Sequence, residues 1–151
     1  MADMSADKSK IRPRAVLFLC GHNAVRSPMA AALARHYFAG ALAVGEAGVR
    51  KGELNPFAAA VMAELGLDLS RHKPMTIEEL AEYDGLDFDL VVSLSPQAHH
   101  RALELTRARP VAVEYWPIPD PTAVWGNREQ RLEAYRAVRD ELARRIRERF
   151  S

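Results

Sequence analysis

The sequence predicts an α/β fold, a three-layer sandwich in which a four-stranded parallel sheet carries helices on both faces. Short apolar runs alternate along the 151-residue chain with longer segments of helical character. Neither an internal repeat nor an inter-domain linker interrupts this alternation, and the length suits one domain. Strands that alternate with helices require right-handed crossovers, which place helices on both faces of a parallel sheet.

The first strand and the first helix flank the most informative loop of the chain. The apolar run from Ala15 to Cys20 is typical of a buried parallel strand. A helix is predicted over residues 27–38, with Ser27 as its cap and Pro28 in its first turn, where the missing N–H costs nothing. The loop between them is predicted to hold phosphate and reads Cys20-Gly21-His22-Asn23-Ala24-Val25-Arg26.

The remaining elements follow in the same alternation. A strand is predicted over residues 42–48, and the helix that follows it is terminated by Gly66. The next helix begins at Thr76, which opens a capping box. Two further strands are predicted over residues 88–94 and 111–115. The helices that follow the second strand are predicted over residues 57–65, 76–80, 96–106 and 128–150.

Cys20 is the only cysteine of the chain, and its surroundings favour a reactive role. A strand–loop–helix junction points successive backbone N–H groups at one spot, where they can hold a tetrahedral oxyanion. The positive end of the helix favours the thiolate form of a cysteine there. Arg26 can place two donors on two oxygens of the bound anion. The alternative is that Cys20 is only a small buried apolar residue, which the following Arg26-Ser27 pair disfavours.

Asp120 is the second candidate for catalysis. It lies in Pro119-Asp120-Pro121, within the proline-rich loop of residues 116–126, which should emerge at the same sheet edge as Cys20. A carboxylic acid there could protonate a leaving oxygen and later act as base on water, and the flanking prolines would fix its direction. The alternative is that Asp-Pro is only turn chemistry.

The chain resembles the low-molecular-weight protein tyrosine phosphatase family, which includes thiol-dependent arsenate reductases. The resemblance covers roughly residues 14–150 and rests on residues 20–28, 47–48, 66–72, 88–92 and 120–121. It implies a mechanism without metal or cofactor, in which Cys20 is the nucleophile, Arg26 binds the phosphoryl group and Asp120 is general acid and then base. It also implies that Gly21, His22, Ala24 and Val25 belong to the phosphate loop, that Asn23 holds its shape, that Ser27 donates to the thiolate, and that His72 joins the Asn23 network.

Several departures from the family pattern concern the substrate. Val25 stands where many members have a second cysteine, which excludes their internal disulfide. Glu46 stands in place of a serine, and we expect this to weaken the loop network. Thr122 follows Asp120-Pro121 where tyrosine phosphatases usually have an aromatic residue. Trp116 or Trp125 could replace that aromatic wall, although a tryptophan in such a loop is as often a packing anchor.

The leading interpretation is a phosphomonoester hydrolase, similar to protein tyrosine phosphatases, that acts through a cysteinyl-phosphate on a phosphorylated protein or a small aryl phosphate. The alternative is a single-cysteine arsenate reductase that uses an external thiol as reductant. The version that shuttles a disulfide among three internal cysteines is excluded by the single cysteine. A third interpretation is an oxyanion-binding regulatory module.

The composition limits the classes of binding partner and the cellular compartment that the sequence predicts. The formal net charge of +1 implies no attraction to nucleic acid or to a membrane surface, and no apolar stretch approaches the ~20 residues that span a bilayer. His99-His100 has no third ligand at useful spacing, so no metal site is predicted. We interpret residues 1–14 as a flexible tail and residues 15–151 as a single phosphatase-like domain. One cysteine and no signal-peptide pattern predict a cytoplasmic setting.

Overall fold

The computed structural model describes residues 11–151 and has a four-stranded parallel sheet at its centre. The strands are β1 (Ala15–Cys20), β2 (Ala43–Gly48), β3 (Leu90–Ser93) and β4 (Ala112–Tyr115). They lie side by side in the order β2-β1-β3-β4, and every pair is parallel. The predicted α/β sandwich is therefore confirmed.

Helices cover both faces of the sheet. They are α1 (Arg26–Tyr37), α2 (Pro56–Ala63), α3 (Ile77–Asp84), α4 (Pro96–Leu105) and α5 (Arg128–Phe150), and a short 3-10 turn spans Pro121–Ala123. Alternate side chains of β1 point to opposite faces. Val16, Phe18 and Cys20 pack with α1, α2 and α5, whereas Leu17 and Leu19 pack with α3 and α4.

The strand order indicates which edge of the sheet is suited to bind a ligand. Connections run from β1 outward to β2 on one side and to β3 and β4 on the other, so the order reverses between β1 and β3. Crevices beyond the carboxyl ends of strands at such a reversal are where open parallel sheets bind ligands. Cys20 ends β1 at this edge, opposite Gly48 of β2.

Local signals in the sequence set most element boundaries, with one error. The Thr76 capping box is present, and Gly66 adopts a φ of +77° after α2 as a helix stop requires. Ser27, however, does not cap α1, because this helix begins at Arg26 and its N-cap, Val25, makes no side-chain capping bond. The Ser27 hydroxyl instead lies inside the first turn, where it contacts the buried groups of the loop.

Residues 1–10 of the predicted tail lie outside the described residues. The rest of it is attached to the domain, because Arg149 donates to the Ile11 carbonyl at 2.8 Å and Asp89 accepts from the Arg14 amide at 3.0 Å. Within residues 11–151, no helix is both long and apolar enough to cross a membrane.

Candidate active site

The loop between β1 and α1 turns its carbonyl groups outward. Surrounding backbone amides donate to the carbonyls of Cys20, Gly21 and His22 at 2.8–3.0 Å. The Asn55 amide donates to the Ala24 carbonyl at 3.0 Å, and the ring Nε2 of His72 donates to the Asn23 carbonyl at 2.8 Å. Every carbonyl from Cys20 to Ala24 is thus engaged by a group outside the loop.

The amides of the same loop are left for a ligand. In a trans peptide the N–H points opposite to the preceding C=O, so outward carbonyls turn the amides of residues 21–25 inward. None of these amides, nor that of Arg26, donates to an acceptor within the described part of the chain. Convergent amides at a helix N-terminus form a nest for a tetrahedral oxyanion.

Asn23 holds the loop in this shape. Its φ of 53° lies in the left-handed region, which asparagine tolerates better than most residues. Its buried side chain donates to Ser27 Oγ at 2.8 Å and to Glu46 Oε1 at 3.1 Å, and accepts from the Met75 amide at 2.9 Å. These contacts tie the loop to α1, to β2 and to the segment before α3.

Gly48 lets the loop lie directly against the end of β2. A Cβ on this residue would lie 2.2 Å from the Arg50 carbonyl oxygen and 2.7 Å from the Asn23 amide nitrogen. Both neighbours are backbone atoms, which cannot move aside as a flexible side chain can. A glycine is therefore required for the close approach of these two segments.

Cys20 and Ser27 form a buried pair at the base of the cradle. Cys20 is 2% exposed, and its Sγ lies 2.9 Å from Ser27 Oγ. Because Asn23 already donates to Ser27 Oγ, the hydroxyl hydrogen of Ser27 is free to point at the sulfur. A donor at this position stabilises a thiolate.

Glu46 strengthens the network that it was expected to weaken. Its Oε1 accepts from Asn23 and lies 3.1 Å from Nδ1 of His72, and Arg35 contacts its other oxygen at 3.3 Å. The expectation from the sequence was wrong because a carboxylate reaches further than a serine hydroxyl and can serve several donors at once.

This carboxylate favours the charged form of His72. Burial lowers the pKa of His72, but the hydrogen bond and charge of Glu46, together with the bond to the Asn23 carbonyl, outweigh it and raise the pKa above the usual value. Both ring nitrogens face acceptors, so the imidazolium satisfies both contacts. His72 thus reaches the loop from a segment far away in sequence.

Arg26 is anchored by the loops that follow β3 and β4. Its Nη1 donates to the Ile118 carbonyl at 3.0 Å and lies 3.5 Å from the Leu94 carbonyl. No other nitrogen of the guanidinium has an acceptor among residues 11–151, which leaves Nε and Nη2 free for an anion. A guanidinium held in this way can bind two oxygens of a tetrahedral oxyanion.

Asp120 lies close to Arg26 and His22. Partial burial raises the pKa of Asp120, but hydrogen bonds from the hydroxyl and amide of Thr122, with the nearby charges of Arg26 and His22, outweigh burial and lower it. Both Thr122 bonds reach Oδ1, at 2.7 Å and 2.9 Å. The structure therefore brings Asp120 to the same edge as the cradle and holds it as a carboxylate.

The two tryptophans of the Asp120 loop differ completely in environment. Trp116 is buried in the core against Phe18 and Phe150, with ring centroids 6.1 Å and 6.4 Å away. It is a packing anchor and cannot wall the site. Trp125 is 92% exposed and packs on no other ring among the described residues.

One residue beside the cradle was missed from the sequence. A Cβ on Gly21 would lie 3.3 Å from Gln97 Oε1, so the exposed Gln97 amide stands next to the loop. The signal available was positional, since Gln97 lies in the first turn of the helix after β3, at the same sheet edge as Cys20.

The side chain of His99 contacts neighbouring side chains of the protein. Its Nδ1 lies 3.0 Å from Ser93 Oγ, and its ring stacks on Tyr115 with centroids 4.6 Å apart. Within residues 11–151, no group of three or more histidine, cysteine, aspartate or glutamate side chains could hold a metal ion.

A parallel α/β sheet whose first strand ends in an anion cradle above a buried cysteine defines the class of cysteine-dependent, phosphatase-like enzymes. The model of one family, described as low molecular weight phosphotyrosine protein phosphatase, matches residues 15–150. The chain belongs to this family.

Similar proteins of known name include both reductases and phosphatases. An arsenate reductase of Shouchella clausii is 36% identical over 132 residues, which cover 87% of this chain and 91% of the relative. A glutaredoxin arsenate reductase of a Synechocystis species is 30% identical over 131 residues, covering 87% and 92% of the two chains. Among solved structures, an arsenate reductase in its oxidised state superposes with a TM-score of 0.73 at 28% identity, over 91% of this chain and 96% of the other. The arginine phosphatase YwlE of Geobacillus stearothermophilus gives 0.72 at 26% identity, over 89% of each chain.

Proposed function

We propose that this protein reduces arsenate to arsenite, with Cys20 as nucleophile and an external thiol as reductant. The observation that carries the proposal is the cradle of inward-facing amides above the single cysteine of the chain. Arsenate is a tetrahedral oxyanion of the size that such a cradle accepts. Six similar proteins at 30–36% identity bear the name arsenate reductase or glutaredoxin arsenate reductase, which supports this reaction over ester hydrolysis.

The first step is attack on arsenic. The amides of residues 21–26 and the free guanidinium nitrogens of Arg26 hold three oxygens, which leaves the arsenic open to the sulfur below. The Cys20 thiolate, supported by Ser27, forms an S–As bond, and one arsenate oxygen leaves as hydroxide, which takes a proton from solvent to become water. The arsenic is still As(V) in this adduct. His22, Ala24 and Val25 contribute backbone amides to the cradle rather than side-chain chemistry.

The second step transfers the electrons. An external thiolate attacks the Cys20 sulfur, the S–As bond breaks with its electron pair on arsenic, and As(III) leaves as arsenite. The product on the enzyme is a mixed disulfide between Cys20 and the thiol. A second thiol attacks this disulfide, which releases the oxidised thiol and restores the Cys20 thiolate. In sum, two thiols reduce one arsenate to arsenite and water.

The chain offers no internal thiol for this step. Val25 fills the position next to Arg26, and Ser95, in the region where the shuttle-type reductases have a second cysteine, is buried and caps α4 through the Ala98 amide. The reductant must therefore come from outside. The name glutaredoxin arsenate reductase, given to the Synechocystis relative, supports an external thiol reductant in this role.

Phosphomonoester hydrolysis through a cysteinyl-phosphate is the second candidate. The position of Asp120 near Arg26 favours it, since a carboxylate there could act as base on the water that hydrolyses the cysteinyl-phosphate, and its protonated form could donate to a leaving oxygen. Its substrate would be a phosphorylated protein or a small aryl phosphate. The two reactions share Cys20 and Arg26, and they differ in the need for Asp120 and for a thiol.

The test is arsenite formation from arsenate with and without added glutathione, beside hydrolysis of p-nitrophenyl phosphate by the same preparation. The proposal predicts thiol-dependent arsenite formation that is lost in Cys20→Ser. Ester hydrolysis without arsenite would favour the phosphatase. Oxyanion binding without either reaction would favour a binding module.

A further inference from the structure

Two arginines of α5 stack over one aromatic ring near the candidate site. The guanidinium carbons of Arg131 and Arg128 lie 4.6 Å and 5.5 Å from the centroid of the Phe57 ring. The ring also stacks on Tyr135, with centroids 5.3 Å apart. Both arginines are exposed, so their charged ends face solvent. We call Arg128, Arg131 and Phe57 the arginine platform.

The platform is tied to the cradle by a short chain of contacts. The Asn55 amide donates to the Ala24 carbonyl, and the Asn55 side chain accepts from the Phe57 amide at 2.8 Å. The platform therefore begins two residues from a group that touches the phosphate loop.

The Asp120 loop also lies near the platform. Burial raises the pKa of Tyr135, the side chain of Asn55 and the charge of Arg131 lower it, and the carboxylate of Asp120 raises it further. Arg131 and Asp120 thus both lie near the Tyr135 hydroxyl. The 3-10 turn after Asp120 also packs against α5.

The charges of the platform are unbalanced, unlike those of most arginines on α5. Arg136, Arg139, Arg144, Arg145 and Arg149 each pair with a carboxylate. Within the described part of the chain, no carboxylate lies within ion-pair distance of Arg128 or Arg131. Two positive charges beside an oxyanion site thus remain available to a ligand.

We propose that the arginine platform binds the carboxylate groups of the external thiol and presents its sulfur to the Cys20 adduct. This inference rests on the proposed thiol-dependent reduction. A small thiol that carries carboxylates complements the two cations, whereas arsenate itself is bound by the loop and Arg26. Guanidinium groups stacked on an aromatic ring lose less freedom when they bind a carboxylate, because the ring already restricts them.

The kinetic test compares thiols that differ in charge. Glutathione carries two carboxylates and 2-mercaptoethanol none, and both can attack the same sulfur. In the double variant R128Q/R131Q, we expect KM for glutathione to rise about 5-fold, the upper range for exposed charge pairs. The rate with 2-mercaptoethanol and the KM for arsenate should not change.

Arg147→Gln is the matched control. Arg147 is also an exposed arginine of α5 over an aromatic ring, 5.3 Å from the Tyr37 centroid, but it lies about 24 Å further along the helix. Its replacement should leave both thiols unaffected. An equal loss for glutathione and 2-mercaptoethanol in R128Q/R131Q, or the same loss in Arg147→Gln, would overturn the inference.

A second readout does not require arsenate chemistry. Because Cys20 is the only cysteine, the rate at which a disulfide reagent labels the protein reports this sulfur alone. R128Q/R131Q should react more slowly than wild type with the dianionic reagent 5,5′-dithiobis(2-nitrobenzoate) and equally fast with neutral 2,2′-dithiodipyridine. Unchanged selectivity would refute the platform even if arsenate is reduced. Changed selectivity without arsenite formation would instead refute the proposed function and retain an anion-binding platform.

Discussion

Ser27 Oγ lies 2.9 Å from Cys20 Sγ while it accepts a hydrogen bond from the buried Asn23 amide. The amide group fixes which way the hydroxyl points, since one lone pair is already used and the hydrogen remains for the sulfur. The reactivity of Cys20 is thereby coupled to a network that extends through Asn23 to Glu46 and His72.

Removal of the Ser27 hydroxyl should slow the chemistry of Cys20. We expect Ser27→Ala to reduce the rate of alkylation by iodoacetamide at neutral pH about 10-fold, the loss of one hydrogen bond to a charged group. Ser95→Ala removes another buried hydroxyl, one that caps α4 without contact to Cys20, and serves as the control. Equal rates in Ser27→Ala and wild type would show that the hydroxyl does not act on the thiolate.

Two substitutions of Asn23 should separate the contribution of its side-chain hydrogen bonds to stability from the cost of its left-handed backbone conformation. Asn23→Gly and Asn23→Ala both lose the side-chain hydrogen bonds, but only alanine is strained at a φ of 53°. The alanine variant should therefore be less stable than the glycine variant by about 1 kcal/mol in urea unfolding. If alanine is as stable as glycine, the strain is relieved by a change of the loop.

His72 should make stability depend on pH. Its raised pKa in the folded protein means that its contribution is fully present below the unfolded value near 6.5 and is lost as pH rises through the folded value. The stability lost in His72→Gln, measured by urea unfolding, should be larger at about pH 5.5 than at about pH 9. Glu46→Gln should remove most of this pH dependence, and a loss that grows with pH would contradict the charged pair.

Because Gly48 lies so close to the loop, we expect any side chain at this position to destabilise the protein. Gly48→Ala drives a Cβ into backbone atoms, and we expect a loss of stability of about 3 kcal/mol or more, as for other overpacked sites. Gly52→Ala is the control, because its Cβ would meet only the Cβ of His22 at an ordinary 3.7 Å. Thermal unfolding of the two variants should differ widely, and similar melting temperatures would be inconsistent with this packing.

We expect replacement of Asp120 to slow the hydrolysis of phosphate esters strongly and the reduction of arsenate only slightly. Asp120→Asn removes any leaving-group acid, so hydrolysis of phenyl phosphate should fall by about 100-fold or more. Arsenite formation with glutathione should change little, because the As–O bonds of arsenate exchange with water far more readily than the P–O bonds of a phosphate ester break. A comparable loss in both reactions would give Asp120 a role in anion binding instead.

Local signals in the sequence predicted much of the fold. The strand Ala15–Cys20 and the helix Arg128–Phe150 have the predicted bounds, because an apolar run and a periodic stripe are local patterns. The role of Glu46 is not local. It depends on the register that sets β2 beside β1 and on the arrival of His72 from a distant segment.

The same distinction applies to the site. Cys20 and Arg26 could be named as candidates because one short loop contains both. Asp120 could be named because parallel strands end at one edge of the sheet. Ser27 was expected to cap α1, a common role for serine, and the family resemblance also implied a hydrogen bond to the Cys20 thiolate. The structure shows the contact with Cys20, and α1 begins before Ser27. Whether Trp116 or Trp125 is buried depends on which of them packs against Phe18, and no spacing along the chain indicates this.

The measurement that tests the central claim most directly is mass spectrometry of the protein after a single turnover with arsenate and one equivalent of glutathione, so that no second thiol removes the disulfide. The account predicts a mixed disulfide of glutathione at Cys20, formed only when arsenate is present, together with one equivalent of arsenite. Because the chain has one cysteine, this disulfide cannot arise within the protein. Unmodified Cys20 and no arsenite, from protein that still hydrolyses p-nitrophenyl phosphate, would contradict the account.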